Sequence, residues 1–350
     1  MTINLVTGAA GFVASHLIQY LLEKGETVYG TFRWNEDLSR MKSFENHSNF
    51  HGISMDLNDL SSCIKAVEES KPDYVFHLAA QSFVPDSFIY PVETIRTNTC
   101  GTFNILEAIR MVRDNLEPNV DFTEPNNCDF NPVIHVCSSS EVYGMVKEKD
   151  LPITEKNELS PNNPYAIGKI GADMTALWFY KQYGLKVIRT RMFTHTGPGR
   201  TMMSAECNFA KQIAEFEKAL TLASNGNPID LNNTQFILKH GNLDSLRTWA
   251  DVRDAVRAYY LLVRKCKSGE VYNIGGDTVK SIKEMLDYLL STSPIKDKIK
   301  LHEDPSLLRK ADVTTQIVDT SKFKKATDWK PEISFEKTMD DLMDWWRKNG

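Results

Sequence analysis

The stretch Ile3-Asn4-Leu5-Val6-Thr7-Gly8-Ala9-Ala10-Gly11-Phe12-Val13-Ala14 decides the fold. Residues 3–6 form a short apolar run, the pattern of a strand buried on both faces. From residue 12 to 23 apolar side chains recur at helical spacing, and Gly25 closes the segment. Between them the chain reads GxxGxxA. Glycines at a strand–helix junction let the backbone turn tightly and come close to a ligand. The helix N-terminus offers unpaired N–H groups and partial positive charge to an anion. Ala14 stands where a third glycine often lets helix and strand pack. The loop is therefore a candidate cradle for a dinucleotide's pyrophosphate, with Gly8, Ala10, Gly11, Phe12 and Val13 as contacts.

Working outward, the same rhythm continues. Strands are expected at 27–32, 51–55, 74–78, 133–138 and 187–190, alternating with helices at 60–70, 91–113 and from 164 to about 183. Strands alternating with helices predict an α/β fold, a doubly wound parallel sheet of Rossmann type. Beyond Gly197 the alternation loosens. Helices at 208–222, 281–291 and 335–348, with short strands between them, indicate a smaller, mixed C-terminal substrate domain. The expected division is 1–190 with 239–272 for the cofactor domain, and 191–238 with 273–350 for the substrate domain. Residues 115–131, rich in Asn, Pro and Asp, read as a long loop.

Composition excludes several classes. The chain has 350 residues, 41% of them apolar and 25% charged, which rules out overall disorder and allows a core that needs neither disulfide nor metal. A net charge of −5 argues against a nucleic-acid partner. No apolar run approaches the ~20 residues of a membrane span, and the first residues lack a signal peptide's basic start and cleavage site. Cys63, Cys100, Cys128, Cys137, Cys207 and Cys266 are widely spaced, with no CxxC pair. They read as reduced thiols in a cytoplasmic protein, and no metal site is expected.

Two further constellations carry chemistry. The second strand ends Gly30-Thr31-Phe32-Arg33-Trp34. An acid there would suit the ribose of NAD, whereas an arginine suits the 2′-phosphate of NADP, so Arg33 favours NADP, with NAD possible. Asp56, ending the third strand, is positioned either to accept from an adenine amino group or to cap the next helix. Farther on, Ser138-Ser139-Ser140-Glu141 ends the fifth strand, and Tyr165 and Lys169 share one face of the following helix. A lysine beside the phenol would depress its pKa and make it a base near neutrality. Tyr20/Lys24 and Tyr143/Lys147 share the spacing, but only Tyr165/Lys169 opens a long helix after a strand that delivers serines to the sheet's C-terminal edge.

With these motifs stand His77-Leu78-Ala79-Ala80, Asn98-Thr99-Cys100-Gly101-Thr102, Gly197-Pro198-Gly199, Arg247-Thr248-Trp249 with Asp251, and Asp328-Trp329-Lys330-Pro331. Together they cover nearly the whole chain, which resembles the extended short-chain dehydrogenase/reductases acting on nucleotide sugars. Ala80-Gln81-Ser82-Phe83-Val84, His195-Thr196-Gly197-Pro198-Gly199 and Gly241-Asn242-Leu243-Asp244 make it most similar to GDP-mannose 4,6-dehydratases and the related GDP-4-keto-6-deoxymannose reductases. The resemblance implies catalytic roles for Ser139, Ser140, Glu141, Tyr165 and Lys169. It implies cofactor contacts from Leu57, Leu78, Ala79, Ala80, Asn98 and His195, and substrate contacts from Gln81, Ser82, Ser139, Glu141, Thr194, Asn208, Lys211, Arg247 and Arg309. Glu141 matches the carboxylate that dehydratases use at C5, with Ser139 or Ser140 relaying a proton. The resemblance also implies a homodimer formed by the Asn98 and Tyr165 helices, with a tetramer as the alternative. A reductase, and more remotely a non-catalytic NADP-binding regulator, are the competing expectations. The chain departs from the dehydratase pattern at Thr194-His195-Thr196-Gly197-Pro198-Gly199-Arg200, where an Asn-His-Glu-Ser-Pro run followed by Arg-Arg-Gly is usual. It departs again at Trp34-Asn35-Glu36-Asp37, where a serine- and arginine-bearing loop is usual.

Overall fold

The computed structural model describes residues 1–114, 130–201, 204–224, 235–308 and 315–350. β1 (Ile3–Thr7) runs into α1 (Phe12–Glu23), followed by β2 (Thr27–Phe32), β3 (Phe50–Ser54), α2 (Leu60–Ser70) and β4 (Tyr74–His77). Next come α3 (Val84–Ile89), α4 (Pro91–Ile95), a π turn over Arg96–Cys100, α5 (Gly101–Asp114), β5 (Val133–Ser139), α6 (Pro164–Tyr183) and β6 (Lys186–Met192). The second half holds β7 (His195–Thr196), α7 (Ala205–Ser224), β8 (Phe236–His240), β9 (Leu246–Asp251), α8 (Val252–Lys265), β10 (Val271–Ile274), β11 (Thr278–Ser281) and α9 (Ile282–Ser291). β12 (Ile299–Glu303), β13 (Thr315–Gln316), α10 (Ser321–Thr327) and α11 (Phe335–Asn349) complete it.

Seven strands form one parallel sheet in the order β10-β6-β5-β4-β1-β2-β3. Alternate side chains feed two cores. Leu5, Val75, Ile134 and Val187 enter the core beneath α2, α5 and α6, while Val6, Phe76 and Ile188 enter the one shared with α1 and α8. Burial on both faces explains the nearly continuous apolar runs of these strands. The strand order reverses between β1 and β4, so a ligand crevice opens at their C-terminal ends.

The helix expected over 91–113 is interrupted. The π turn inserts at Asn98, and α6 makes room for it with glycines: a Cβ at Gly171 would lie 2.2 Å from Thr99 Oγ1, and one at Gly168 would lie 3.0 Å from Asn98 Cβ. Apolar spacing does not register a one-residue insertion of this kind. The expected boundary at 239 is also displaced. β9 is the centre of a separate small sheet, antiparallel to β11 and parallel to β13 and β7, while β8 pairs with β12. The chain rejoins the large sheet's helical layer at Val252. β10 then supplies that sheet's edge strand, and Phe323 and Trp329 pack into the α1/α8 core. The smaller part has its own core, in which α7, α9 and α11 close around Trp249 and Phe335. Of the expected loop, residues 115–129 lie outside the described residues.

β6 is locked to α6 by Asp173, fully buried, whose carboxylate accepts from Arg189 at 2.7 Å and Arg191 at 2.9 Å. Arg191 also donates to Tyr143 Oη, and Tyr143 donates to Asn273. The Tyr143/Lys147 spacing is thus spent on structure. Deeper still, His77 and His135 sit inside the sheet, and burial pushes each imidazole down to about 3. A histidine whose folded pKa is depressed contributes stability that is complete above its unfolded value, ~6.5, and is lost as pH falls below it. From pH 6.5 to 5.5 each should therefore cost about 1 kcal/mol of unfolding free energy. Urea titrations across that window should show this loss, and His135→Phe should remove about half of it.

Candidate active site

At the crevice the glycine loop has the shape its sequence predicts. Gly8 has φ +77°, and a Cβ there would come 3.0 Å from Ala79 Cα. Ala9 N–H donates to Thr31 O at 2.7 Å, fastening the loop to β2. Gly11 is the N-cap of α1 and has no side chain to cap it, so no side chain claims the first-turn N–H groups at Phe12 and Val13. Ala14, only 2% exposed, packs at the third position. Across the crevice, Thr7 Oγ1 accepts from the Leu78 and Ala79 N–H groups. Asn98, turned inward by the π turn, accepts from Gln81 N–H at 2.8 Å and donates to Gln81 O at 3.0 Å. Gln81 is thereby oriented at the edge; Ser82 beside it is exposed. Leu57 packs on Gly101, and its carbonyl accepts from Asn104.

Beyond the ends of β2 and β3 lies a pocket of about 320 Å³ lined by Arg33, Trp34, Asn35, Met55, Asp56 and Asp59. Asp56 spends one oxygen on the N–H and amide of Asn58, while Asp59 caps α2 through Ser61 and Ser62 N–H. The capping alternative for Asp56 is therefore corrected to Asp59.

Ser139 ends β5, and Tyr165 stands in the first turn of α6. The Ser139 hydroxyl favours the ionised form of the Tyr165 phenol. Lys169 Nζ donates to Cys137 O at 2.8 Å and lies 6.0 Å from the Tyr165 ring centre. The expected depression of the phenol is not what this geometry gives. Burial dominates and holds Tyr165 well above its ordinary value, opposed by the Ser139 hydroxyl and the charge of Arg200; burial likewise lowers Lys169. Glu141 is held at both oxygens: Oε2 accepts from Asn163 Nδ2 at 3.0 Å and Oε1 from Gln316 Nε2 at 3.4 Å. Asn163 also caps α6 through Ala166 N–H. Ser140 does not join the Tyr165 cluster. Its hydroxyl donates to Gln316 Oε1 at 3.1 Å, so it acts on Glu141 through that glutamine.

Asn163 and Gln316 were missed by sequence reasoning. Asn163-Pro164 is a legible helix-start signal; nothing in the sequence around Gln316 marks it. The Tyr20/Lys24 pair resolves as a surface contact, with Lys24 Nζ 5.2 Å from the Tyr20 ring centre.

Around this centre, His195 Nδ1–H donates to Phe193 O at 3.0 Å, and burial pushes the imidazole down to about 4. It is therefore neutral at pH 7, its Nδ1–H donates to that carbonyl, and Nε2 is left as an acceptor. Thr194 is tied through its carbonyl to Ala250 N–H. Arg247 stands opposite Gln316 in the β9–β13 register, next to the group that holds Glu141. Asn208 and Lys211 lie on α7, where Asn208 accepts from Gln212 and Lys211 pairs with Glu215 at 2.7 Å. Arg309 lies outside the described residues. A further cation passed over in the sequence, Arg200, covers the Phe12 ring at 5.6 Å and donates to His195 O. Among the described residues no cluster of His, Cys, Asp or Glu could hold a metal, and no helix is long and apolar enough to cross a membrane. Cys63, Cys100, Cys137, Cys207 and Cys266 are free thiols.

The family profile described as GDP-mannose 4,6 dehydratase matches residues 5–342. A GDP-6-deoxy-D-mannose reductase of Pseudomonas aeruginosa is 29% identical over 79% of this chain and 80% of its own. A GDP-mannose 4,6-dehydratase of Yersinia enterocolitica is 27% identical over 95% of this chain and 90% of its own. Among solved structures, RMD from Pseudomonas aeruginosa complexed with NADPH superposes with a TM-score of 0.78 at 27% identity, covering 100% of both chains. The dTDP-glucose 4,6-dehydratase of Bacillus anthracis in complex with NAD gives 0.75 at 25% identity, over 100% of this chain and 97% of that one. The glycine loop fits such a cofactor: its positive-φ turn, uncapped helix start and close approach to Ala79 leave room for a backbone-bound pyrophosphate and for no added side chain. Gly8→Ala should raise the Kd for NADPH about tenfold or more, from the ~1–2 kcal/mol cost of left-handed backbone, measured by fluorescence titration.

Proposed function

We propose, from the premise that this chain belongs to the GDP-mannose 4,6-dehydratase family, that it is a nucleotide-sugar 4,6-dehydratase acting on GDP-mannose or a related GDP-sugar with NADP. The observation that carries this reading is the doubly anchored Glu141 carboxylate beside the Ser139/Tyr165 pair. A dehydratase needs a base for a carbon acid in addition to the base for an alcohol, and these are two such groups on adjoining elements.

Bound between the glycine loop and Lys169, NADP would supply a hydride acceptor for C4 of the sugar and a hydride donor for C6, with no net redox change. Tyr165 takes the proton of the C4 hydroxyl while Ser139 hydrogen-bonds that oxygen. Once C4 is a ketone, its neighbouring C5 hydrogen is acidic; Glu141 removes that proton and gives it back to C5 when hydride is added at C6. Water then leaves from C6, its proton relayed through Ser139, because Ser140 is committed to Gln316. Lys169, fixed on Cys137 O, would hold the cofactor's ribose, and Arg247 would hold the sugar's diphosphate. Arg33 at the end of β2 supports NADP over NAD.

A reductase is the second reading, favoured by the 29% identical P. aeruginosa relative named for that activity. In that case Tyr165 supplies a proton to a 4-keto sugar and Glu141 takes no part. Incubation with GDP-mannose and no reduced cofactor separates the two: a 4-keto-6-deoxy product is expected, and turnover only with a 4-keto sugar and NADPH would support the reductase. Glu141→Gln should lower dehydration about 100- to 10,000-fold yet spare the first hydride transfer, seen as absorbance at 340 nm. Undiminished dehydration would remove Glu141 as the base.

The reading includes a homodimer. Ile167, Met174 and Trp178 line one face of α6 at 47%, 38% and 41% exposure, and Phe103 of α5, 41% exposed, stacks on Trp178. An aromatic stripe of this kind on two adjacent helices suits a second copy's matching pair. Trp178→Glu should shift the protein to a monomer by light scattering.

A further inference from the structure

Arg40 lies on a 3₁₀ turn, Ser39–Ser43, that brings the chain back from the end of β2 toward the glycine loop. Its NH1 donates to Ala10 O at 3.4 Å, and its Nε and NH2 to Gly199 O at 3.4 and 3.2 Å. The side chain is half-buried, and its partners are carbonyls alone. Among the described residues no carboxylate lies within ion-pair distance of it. Other sheltered arginines here do have one: Arg110 has Glu107, Arg189 and Arg191 have Asp173, Arg257 has Asp254, and Arg264 has Glu26.

A partly desolvated guanidinium whose nearby carboxylate, Asp37, stays beyond ion-pair distance is unfavourable by itself. It becomes favourable when an anion arrives, and its planar fork matches phosphate oxygens. Its place narrows which phosphate. Arg40 touches the glycine loop at Ala10 O, and its turn follows β2 and the pocket residues Arg33, Trp34 and Asn35 in the chain, which sets it between the diphosphate cradle and that pocket's lining. By the logic of the fold, the adenosine ribose spans that interval. Arg33, on the far side, is exposed, so solvent and salt weaken what it can offer alone.

We propose that Arg40 is the principal reader of the cofactor's 2′-phosphate, with Arg33 as its outer partner. This rests on the NADP reading above. The test is fluorescence titration with NADPH and with NADH in parallel, on the wild type, Arg40→Met and Arg33→Ala, with the cofactor-free thermal midpoint recorded for each. Arg40→Met should weaken NADPH about 10- to 100-fold and NADH less than about twofold, Arg33→Ala should weaken NADPH less, and Arg40→Lys should recover part of the loss. Where the methionine variant does not fold, Arg40→Gln, which keeps an N–H for Gly199 O, gives the same comparison. Equal losses for both cofactors would make Arg40 a clasp or diphosphate ligand and overturn the inference. An unchanged NADPH preference in Arg40→Met would also overturn it while sparing the NADP reading. A wild type that binds NADH as tightly as NADPH would overturn the NADP reading itself.

Discussion

The hydroxyl of Thr7 joins the strands on either side of the point where the sheet reverses its winding. It accepts from the Leu78 and Ala79 N–H groups and bonds His77 Nδ1 at 3.0 Å. His77 Nε2 reaches Thr102 Oγ1 at 3.0 Å, and Thr102 Oγ1 lies 2.7 Å from Asn98 O. The proton order follows. Asn98 O can only accept, so Thr102 donates to it and must accept from His77 Nε2–H; His77 Nδ1 is then an acceptor, and Thr7 donates to it. Only the neutral Nε2–H tautomer satisfies this chain. The low pKa that burial gives His77 is what keeps it in that form. Through three side chains the glycine loop, the end of β4 and the π turn are set relative to one another. The cofactor's cradle and the helix that faces the catalytic one are therefore positioned by the same hydrogen bonds.

What was legible in the sequence was whatever depends on local backbone chemistry. Gly8 must be glycine because of a positive φ and a neighbouring strand, and both follow from a strand–turn–helix pattern. Sequence context set Tyr165 and Lys169 apart from two other pairs of the same spacing, and the structure shows those two otherwise engaged: Tyr143 with Arg191 and Asn273, and Lys24 with the Tyr20 ring. The π turn was not legible, because its cause lies across the helix interface, in the missing side chains of Gly168 and Gly171. Gln316 was not legible either. It comes from a two-residue strand and is placed by pairing with β9. The domain boundary was misplaced for the same reason: β9 has a strand's pattern, and only its partners show which sheet it joins. Arg40 lies seven positions past Arg33 in a segment without periodicity, and its approach to Ala10 depends on the turn at Ser39–Ser43.

The electrostatics of the centre bear on how a base is prepared here. A phenol buried to this degree resists ionisation, and Lys169 donates to Cys137 O. The Ser139 hydroxyl and the field of Arg200 oppose the effect of burial but do not overcome it. Tyr165 is consequently a weak acid in the cofactor-free protein. On the dehydratase reading, the positive charge of a bound oxidised nicotinamide would favour release of the phenol's proton.

Glu141 follows a different logic. Its two oxygens are bonded by two neutral amides, Asn163 and Gln316, that are far apart in the chain, and among the described residues no cation pairs with it. A cation would neutralise the carboxylate and hold back a proton acceptor; an amide fixes its plane and leaves it a charge. Ser140 adds a further constraint by orienting Gln316 from behind. Holding a carboxylate in one orientation costs side-chain entropy at Glu141, Asn163 and Gln316 together. That expenditure is hard to account for if the acid is only a polar bystander to a ketone reduction, which Ser139 and Tyr165 can serve alone. It is accounted for if the carboxylate must meet one C–H bond of a sugar whose neighbouring carbon has just become a ketone.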